Sequence, residues 1–168
     1  MSTKIYEDPI IAKYQELITT AMQGVFKGVY QGDPVRVPKS RLPALIISKS
    51  MTQVGKLTNT EDEHGQQLIL TVITDIRDEV NDDEQIVPGI AQLYDIIEGR
   101  EDTTFLLKSN CILNILRTNE LVDATHDLRT DLGSITKADY GLTIGKRDRE
   151  AYAVEGQVEF VAYFTQTR

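Results

Sequence analysis

The chain has 168 residues, of which 40% are hydrophobic and 26% are charged, and these proportions are ordinary for a single globular domain. Its net charge of −8 argues against a protein that coats nucleic acid, because neutralising phosphates requires clustered Lys and Arg. No run of about 18 apolar residues occurs, so the sequence predicts no membrane-spanning helix.

The first predicted element is an amphipathic helix over residues 9–23. Asp8 followed by Pro9 is typical of a helix start, because the carboxylate caps free amides and proline needs no amide partner at the first position. Apolar residues then recur at three- and four-residue spacing, which indicates one buried face: Ile10, Ile11, Tyr14, Leu17, Ile18, Ala21, Met22 and Val25.

A long hairpin is predicted next, after an irregular connection over residues 32–43 that contains three prolines. Residues 44–48 are predicted to form a short apolar strand, and the apolar residues Val54 and Leu57 would extend it. Residues 66–77 alternate apolar and polar side chains and are predicted to form the second strand. Residues 59–65 would then be a polar tip.

A second helix is predicted over residues 88–98, where apolar residues again follow helical spacing and Gly99 ends the pattern. Residues 105–116 suit either a helix or a buried strand, and residues 112–117 slightly favour a strand. Residues 121–133 are polar and predict a loop. The single cysteine, Cys111, lies in an apolar run and is expected to be a buried, inert thiol.

The carboxyl-terminal residues predict another long hairpin, whose first strand starts near Ala138 and whose turn covers residues 145–149. From Tyr152 to Phe164 every even position is apolar or glycine, so one face of the last strand is expected to be buried. The predicted strand from Tyr152 to Thr165 has fourteen residues and would span roughly 45 Å, enough to cross a domain of this size. Such a strand favours pairing beyond its own subunit.

This order of elements predicts the α+β class. We expect one domain over residues 1–168, in which an antiparallel or mixed β-sheet with long hairpins packs against two principal helices. Charge is uneven along it: residues 27–49 are basic and residues 75–84 are acidic. These two segments are expected either to meet between subunits or to remain solvated.

No catalytic, nucleotide or metal site is predicted. Residues 141–146 have three residues between their glycines and no helix after them, so they do not fit a phosphate-binding loop. The two histidines, His64 and His126, lack a second ligand at zinc spacing. The carboxylates from Asp75 to Glu84 lack calcium-loop spacing, and they leave a metal-dependent hydrolase as an alternative from a different functional class.

The order of elements resembles the tail terminator family of long-tailed bacteriophages, with the related tail-completion and neck proteins. The resemblance lies in the first helix, the long hairpin with a polar tip, the second helix and the long last strand. It implies a structural virion protein that is no enzyme and has no cofactor. Its subunits would assemble in the host cytoplasm into a homohexameric ring on the tail tube.

Such a ring ends polymerisation of the tail tube protein and provides the docking surface for the head connector. The resemblance also implies that DNA passes through the ring without sequence-specific binding, which the acidic balance of the chain favours. A head-side neck or connector protein is the nearest alternative, because it shares the architecture and differs in what it touches.

Charged residues from three segments are the candidate contacts to another subunit or partner. The basic segment, with Arg36, Lys39 and Arg41, is expected to face an acidic partner. Glu155 and Glu159 are expected to protect an edge strand from uncontrolled pairing, so that only a partner of matching charge is accepted. The predicted carboxyl-terminal turn contributes the remaining cations, Lys146, Arg147 and Arg149.

Overall fold

The computed structural model describes residues 7–34, 36–76, 88–135, 138–142 and 153–167. Within these residues the chain forms three α-helices and one mixed, seven-stranded sheet, which confirms the α+β class. In chain order the elements are α1 (Pro9–Ala21), β1 (Gly28–Gln31), β2 (Ala44–Lys56), β3 (Glu61–Asp75), α2 (Pro88–Glu98), α3 (Ile112–Thr118), β4 (Leu121–Asp123), β5 (Leu128–Thr130), β6 (Ala138–Leu142) and β7 (Ala153–Thr167).

The sheet is built around β7, and its strand order is β1-β2-β3-β7-β5-β4, with β6 also paired to β7. All 15 residues of β7 pair antiparallel with β3, from Ala153 opposite Asp75 to Thr167 opposite Glu61. On its other side β7 pairs with β6 at one end and with β5 near the other. The predicted antiparallel pairing of β6 with β7 is confirmed, but β3 is the larger partner of β7.

The two faces of the sheet differ in what covers them. Even-numbered residues of β3 and β7 face the helices and form the main core with α1, so the alternation predicted for the last strand is confirmed. Phe160 packs against Tyr14, with 4.9 Å between ring centroids. At Gly156 a Cβ would collide with the δ-methyl of Ile97, so glycine permits α2 to lie close against β7.

Helix α1 connects the two sides of the curled sheet. The Tyr14 hydroxyl lies 2.8 Å from Thr130 Oγ1 on β5, and Gln15 Nε2 donates to the Tyr30 carbonyl on β1 at 2.9 Å. Burial raises the pKa of Tyr14 to about 12, so this hydroxyl stays protonated at neutral pH. The helix therefore links β5 and β1, which lie on opposite sides of the central pair β3–β7.

Asp8 caps α1 as predicted. Its Oδ1 accepts hydrogen bonds from the amides of Ile10 and Ile11 at 2.9 and 3.2 Å, and its Oδ2 lies 2.8 Å from Lys49 Nζ on β2. Burial alone raises the pKa of the Asp8 carboxyl, but the hydrogen bond from Lys49 and the two amides outweigh it and lower the pKa below the ordinary 3.8. The carboxylate therefore stabilises the fold when ionised.

Replacing Asp8 by Ala is expected to lower the free energy of unfolding by about 1–2 kcal/mol at neutral pH, because the cap is lost. The native state holds this proton less tightly than the unfolded chain. The contribution is therefore complete above the unfolded pKa and lost as pH falls through the folded one. Asp8→Asn is the matched variant, since asparagine also caps helices but carries no charge.

Urea unfolding at neutral and acidic pH checks this expectation. Asp8→Asn should lose less stability than Asp8→Ala at neutral pH, and it should depend less steeply on acidification than the wild type. An Asp8→Asn protein with the full acid sensitivity of the wild type would contradict the assigned role of the carboxylate.

The structure corrects the bounds or the type of several predicted helices, strands and loops. Residues 112–118 form helix α3 and not a strand, with Ile112, Ile115 and Leu116 buried at helical spacing. Residues 121–133, predicted as a loop, contain the short strands β4 and β5 and begin a 3-10 turn (Leu132–Ser134). Since β3 begins at Glu61, the hairpin tip is residues 57–60. The predicted turn at residues 145–149 lies outside the described residues.

Among the helices in the described segments, none has the length and apolar character needed to cross a bilayer.

Candidate functional site

The most exposed part of the sheet is the end of the β2–β3 hairpin, residues 51–65, which we call the arm. Every residue from 51 to 60 is exposed, and three of them are large and apolar: Met51, Val54 and Leu57 are 49%, 60% and 53% exposed. Exposed apolar side chains that share one segment are typical of an interaction surface.

One side of the arm is an open strand edge. β1 pairs with β2 only from Ala44 to Ile47, so residues 48–56 of β2 have no partner on that side among the described residues. Unpaired amides and carbonyls on such an edge can pair with another chain. A break in strand register between Lys49 and Met51 and the charges of Lys49 and Lys56 are features that limit uncontrolled pairing.

The arm is held in shape by β7 on its other side. On the face toward the helices, His64 stacks on Phe164 with 4.9 Å between the ring centroids. On the opposite face the Tyr163 ring lies over Gly65, where a Cβ would come within 2.9 Å of it. The arm is therefore a pre-formed, three-stranded structure and not a free loop.

The edge role predicted for Glu155 and Glu159 is wrong, because β7 lies inside the sheet. Glu155 is only 4% exposed and lies opposite Ile73 of β3. Glu159 is half-buried, and its carboxylate accepts a hydrogen bond from Gln67 Nε2 at 3.4 Å. A contact of Glu159 with another subunit stays a prediction.

The basic segment lies at the far end of β2 from the arm. Val37 and Leu42 anchor it on the face of the sheet away from the helices, with 2% and 5% exposure. The side chains of Arg36, Lys39 and Arg41 are exposed.

Lys39 and Arg41 contact other parts of the chain. Lys39 Nζ lies 3.9 Å from Asp75 Oδ2, so the basic segment meets the start of the acidic segment within one molecule. Arg41 donates to the carbonyl of Lys27 at 3.4 Å. The acidic residues after Ile76, and the predicted contacts Lys146, Arg147 and Arg149, lie outside the described residues.

Among the described residues, no hydrogen bond or ion pair joins Cys111, His64 and His126, which were considered for chemistry. Cys111 is fully buried, and burial raises the pKa of its thiol. His64 stacks in the arm, whereas His126 lies in the β4–β5 turn with its Nδ1 2.7 Å from Asp123 Oδ2. In the part of the chain that the structure describes, no group of three or more His, Cys, Asp or Glu side chains is placed to hold a metal ion.

The described residues therefore place an open strand edge with exposed apolar side chains at one end of the sheet and a basic segment at the other. Sequence reasoning found the hairpin but assigned the open edge to the last strand.

A search against protein-family models and a search of curated proteins both give no match for this chain.

Proposed function

We propose that this chain is a structural virion protein, whose copies form a ring that caps a phage tail tube, ends tube polymerisation and docks the head connector. The open β2 edge of the arm carries the proposal. A strand edge binds an extended segment of another chain through main-chain hydrogen bonds. In a ring every subunit repeats the same head-to-tail contact, and the rotation between subunits closes it.

The stiffness of the arm supports a role in assembly. A contact surface that must order on binding loses free energy, whereas a pre-formed one does not. The arm is pre-formed because β3 pairs with β7 along its whole length, and ring contacts of His64 and Tyr163 tie the strands together. Its apolar side chains, Met51, Val54 and Leu57, are then available to a neighbouring subunit.

The charge distribution supports the proposed partners. A subunit with a net charge of −8 makes the ring acidic overall, which favours passage of DNA without binding. The basic segment lies at the opposite end of the sheet from the arm, where it suits an acidic partner such as a connector surface. The two ends of the subunit would thus serve different neighbours.

Growth of tail tubes tests the function. Tail tube protein from the genome that encodes this chain is polymerised with and without the purified protein, and tube lengths are measured by electron microscopy. We expect shorter tubes with added density at one end. Unchanged lengths with bare tube ends would contradict the terminator function, and binding to the head connector alone would favour a neck protein.

A further inference from the structure

The loop between α2 and α3, residues 99–108, holds two large apolar side chains in solvent. Phe105 is 71% exposed and Leu106 is 66% exposed, the highest values among the large hydrophobic residues that the structure describes. The loop is closed by a hydrogen bond from the Glu101 amide to the Leu106 carbonyl at 2.8 Å, and Arg100 donates to the Phe105 carbonyl at 2.9 Å. These bonds fix the two side chains in an exposed position.

The backbone at Phe105 is strained. Its φ of +56° lies in the left-handed region, which bulky side chains rarely adopt and which glycine or asparagine occupies at lower cost. Phe105 does not fill the core of its own molecule. Exposure together with strain is therefore a cost to the isolated chain that a contact with a partner would offset.

An apolar pocket of 220 Å³ lies at the amino end of α1. Ile10, Leu128 and Phe164 form part of its wall, and Lys13, Asp123 and His126 border it. An apolar cavity of about 150 Å³ accommodates a benzene molecule, so this pocket is large enough for one aromatic ring.

A subunit cannot fill this pocket with its own loop. Helix α2 lies against β7 at Gly156, just before the loop, whereas the pocket borders β7 at Phe164. These two positions are eight residues apart on one strand, a distance of about 26 Å. No residue of the loop is among those lining the pocket in the described part of the chain. A contact between the two sites therefore joins different copies, head to tail.

The loop is acidic next to Phe105, and an exposed lysine borders the pocket. Glu101 and Asp102 of the loop form no direct ion pair within the described segments; Lys108 attracts both of them, but its direct ion pair is with Asp95 of α2, and that of Arg100 is with Glu98. At the pocket Lys13 shares the Asp123 carboxylate with His126, at 3.8 and 2.7 Å, and because the Lys13 side chain is 45% exposed its ammonium group can still meet an acidic group of another copy. Opposite charges at the rim of a contact fix its orientation.

We propose that Phe105 of one copy inserts into the pocket of the next copy while Leu106 covers its rim, and that this contact, together with the arm, joins neighbouring subunits of the ring. The inference rests on the proposed function, because it specifies the interface of that ring. Glu101 and Asp102 then face Lys13 of the neighbour, outside the apolar centre.

Two single variants each remove one half of the contact. Phe105→Asn keeps a residue that tolerates the left-handed backbone but removes the ring, so thermal stability of the monomer should not fall. Ile10→Glu puts a carboxylate into the pocket, at a helix position where acidic residues are favourable. Each is expected to weaken subunit association by about 30-fold or more, as loss of a buried aromatic anchor does. Leu132→Asn, at another exposed apolar residue, is the control that should still form rings.

Mixing the two variants gives the sharpest test. Phe105→Asn retains an intact pocket and Ile10→Glu retains an intact loop. The loop of the Ile10→Glu protein can therefore bind the pocket of the Phe105→Asn protein, and each pair of molecules forms one contact. The mixture should give one-to-one dimers and no rings, as measured by light scattering. Rings formed by Phe105→Asn alone, or a mixture that stays monomeric, would refute this interface without refuting the proposed ring. A monomeric wild type would instead refute the proposed function and this inference with it.

Discussion

Replacing Phe160 by Ala is expected to lower the free energy of unfolding by about 3–5 kcal/mol, the cost of removing a large side chain from a core. Phe160 is 1% exposed, and its ring packs on Tyr14 where α1 crosses the sheet. Truncation leaves a cavity between the helix and the central strands. Urea unfolding followed by circular dichroism measures the loss.

Phe164→Ala is the matched control for that change. Phe164 lies on the same strand and the same face, but it is half-buried beside His64. Because solvent already reaches the site, its truncation should cost clearly less than that of Phe160. Equal losses for the two variants would show that the core is not centred where α1 crosses β7.

Shortening the arm is expected to abolish ring formation with little effect on the fold. Val54 and His64 are opposite each other in the β2–β3 pairing, so residues 55–63 can be replaced by Asn-Gly, which favours a two-residue hairpin turn. Residues 55–60 are exposed, and residues 61–63 pair only with the last three residues of β7 beyond the hairpin itself, so the free energy of unfolding should change by about 1 kcal/mol or less. Light scattering measures the loss of assembly.

A variant of the same length provides the control for the shortened arm. Replacing residues 58–60 by Ser-Gly-Ser changes the tip but leaves both strands intact, and this protein should still assemble. Rings formed by the shortened chain would mean that the outer part of the arm is not an interface.

Those parts of the fold that depend on local pattern were predictable. Asp8-Pro9 and the apolar spacing after it predict α1 with an error of two residues at its carboxyl end. The second predicted helix, residues 88–98, has the same bounds as α2. Strict alternation from Val154 to Phe164 gave the buried face of β7. In each case one periodic signal runs long enough to exclude the other type of element.

Pairing partners and short elements were not predictable in the same way. Residues 112–118 are too few for periodicity to separate a helix from a buried strand, and the apolar run was assigned to a strand. The pairing of β7 with β3 joins residues far apart in sequence, and no local pattern encodes it. The sequence predicts that Glu155 protects an edge strand, whereas its strand lies inside the sheet and its side chain is buried.

The candidate sites required the three-dimensional structure. The open edge belongs to β2 only because β1 is short, which the sequence does not show. The pocket combines α1, the β4–β5 turn and β7, three segments that are distant in the chain. Phe105 and Leu106 read as core residues in the sequence, since their apolar character carries no sign of their exposure.

The mass of the full-length wild-type protein in solution, combined with negative-stain images of the same sample, tests the central claim most directly. The account predicts a hexamer of the 18.9 kDa chain, seen as a ring with a central hole wide enough for duplex DNA. A single compact monomer at every protein concentration would contradict it.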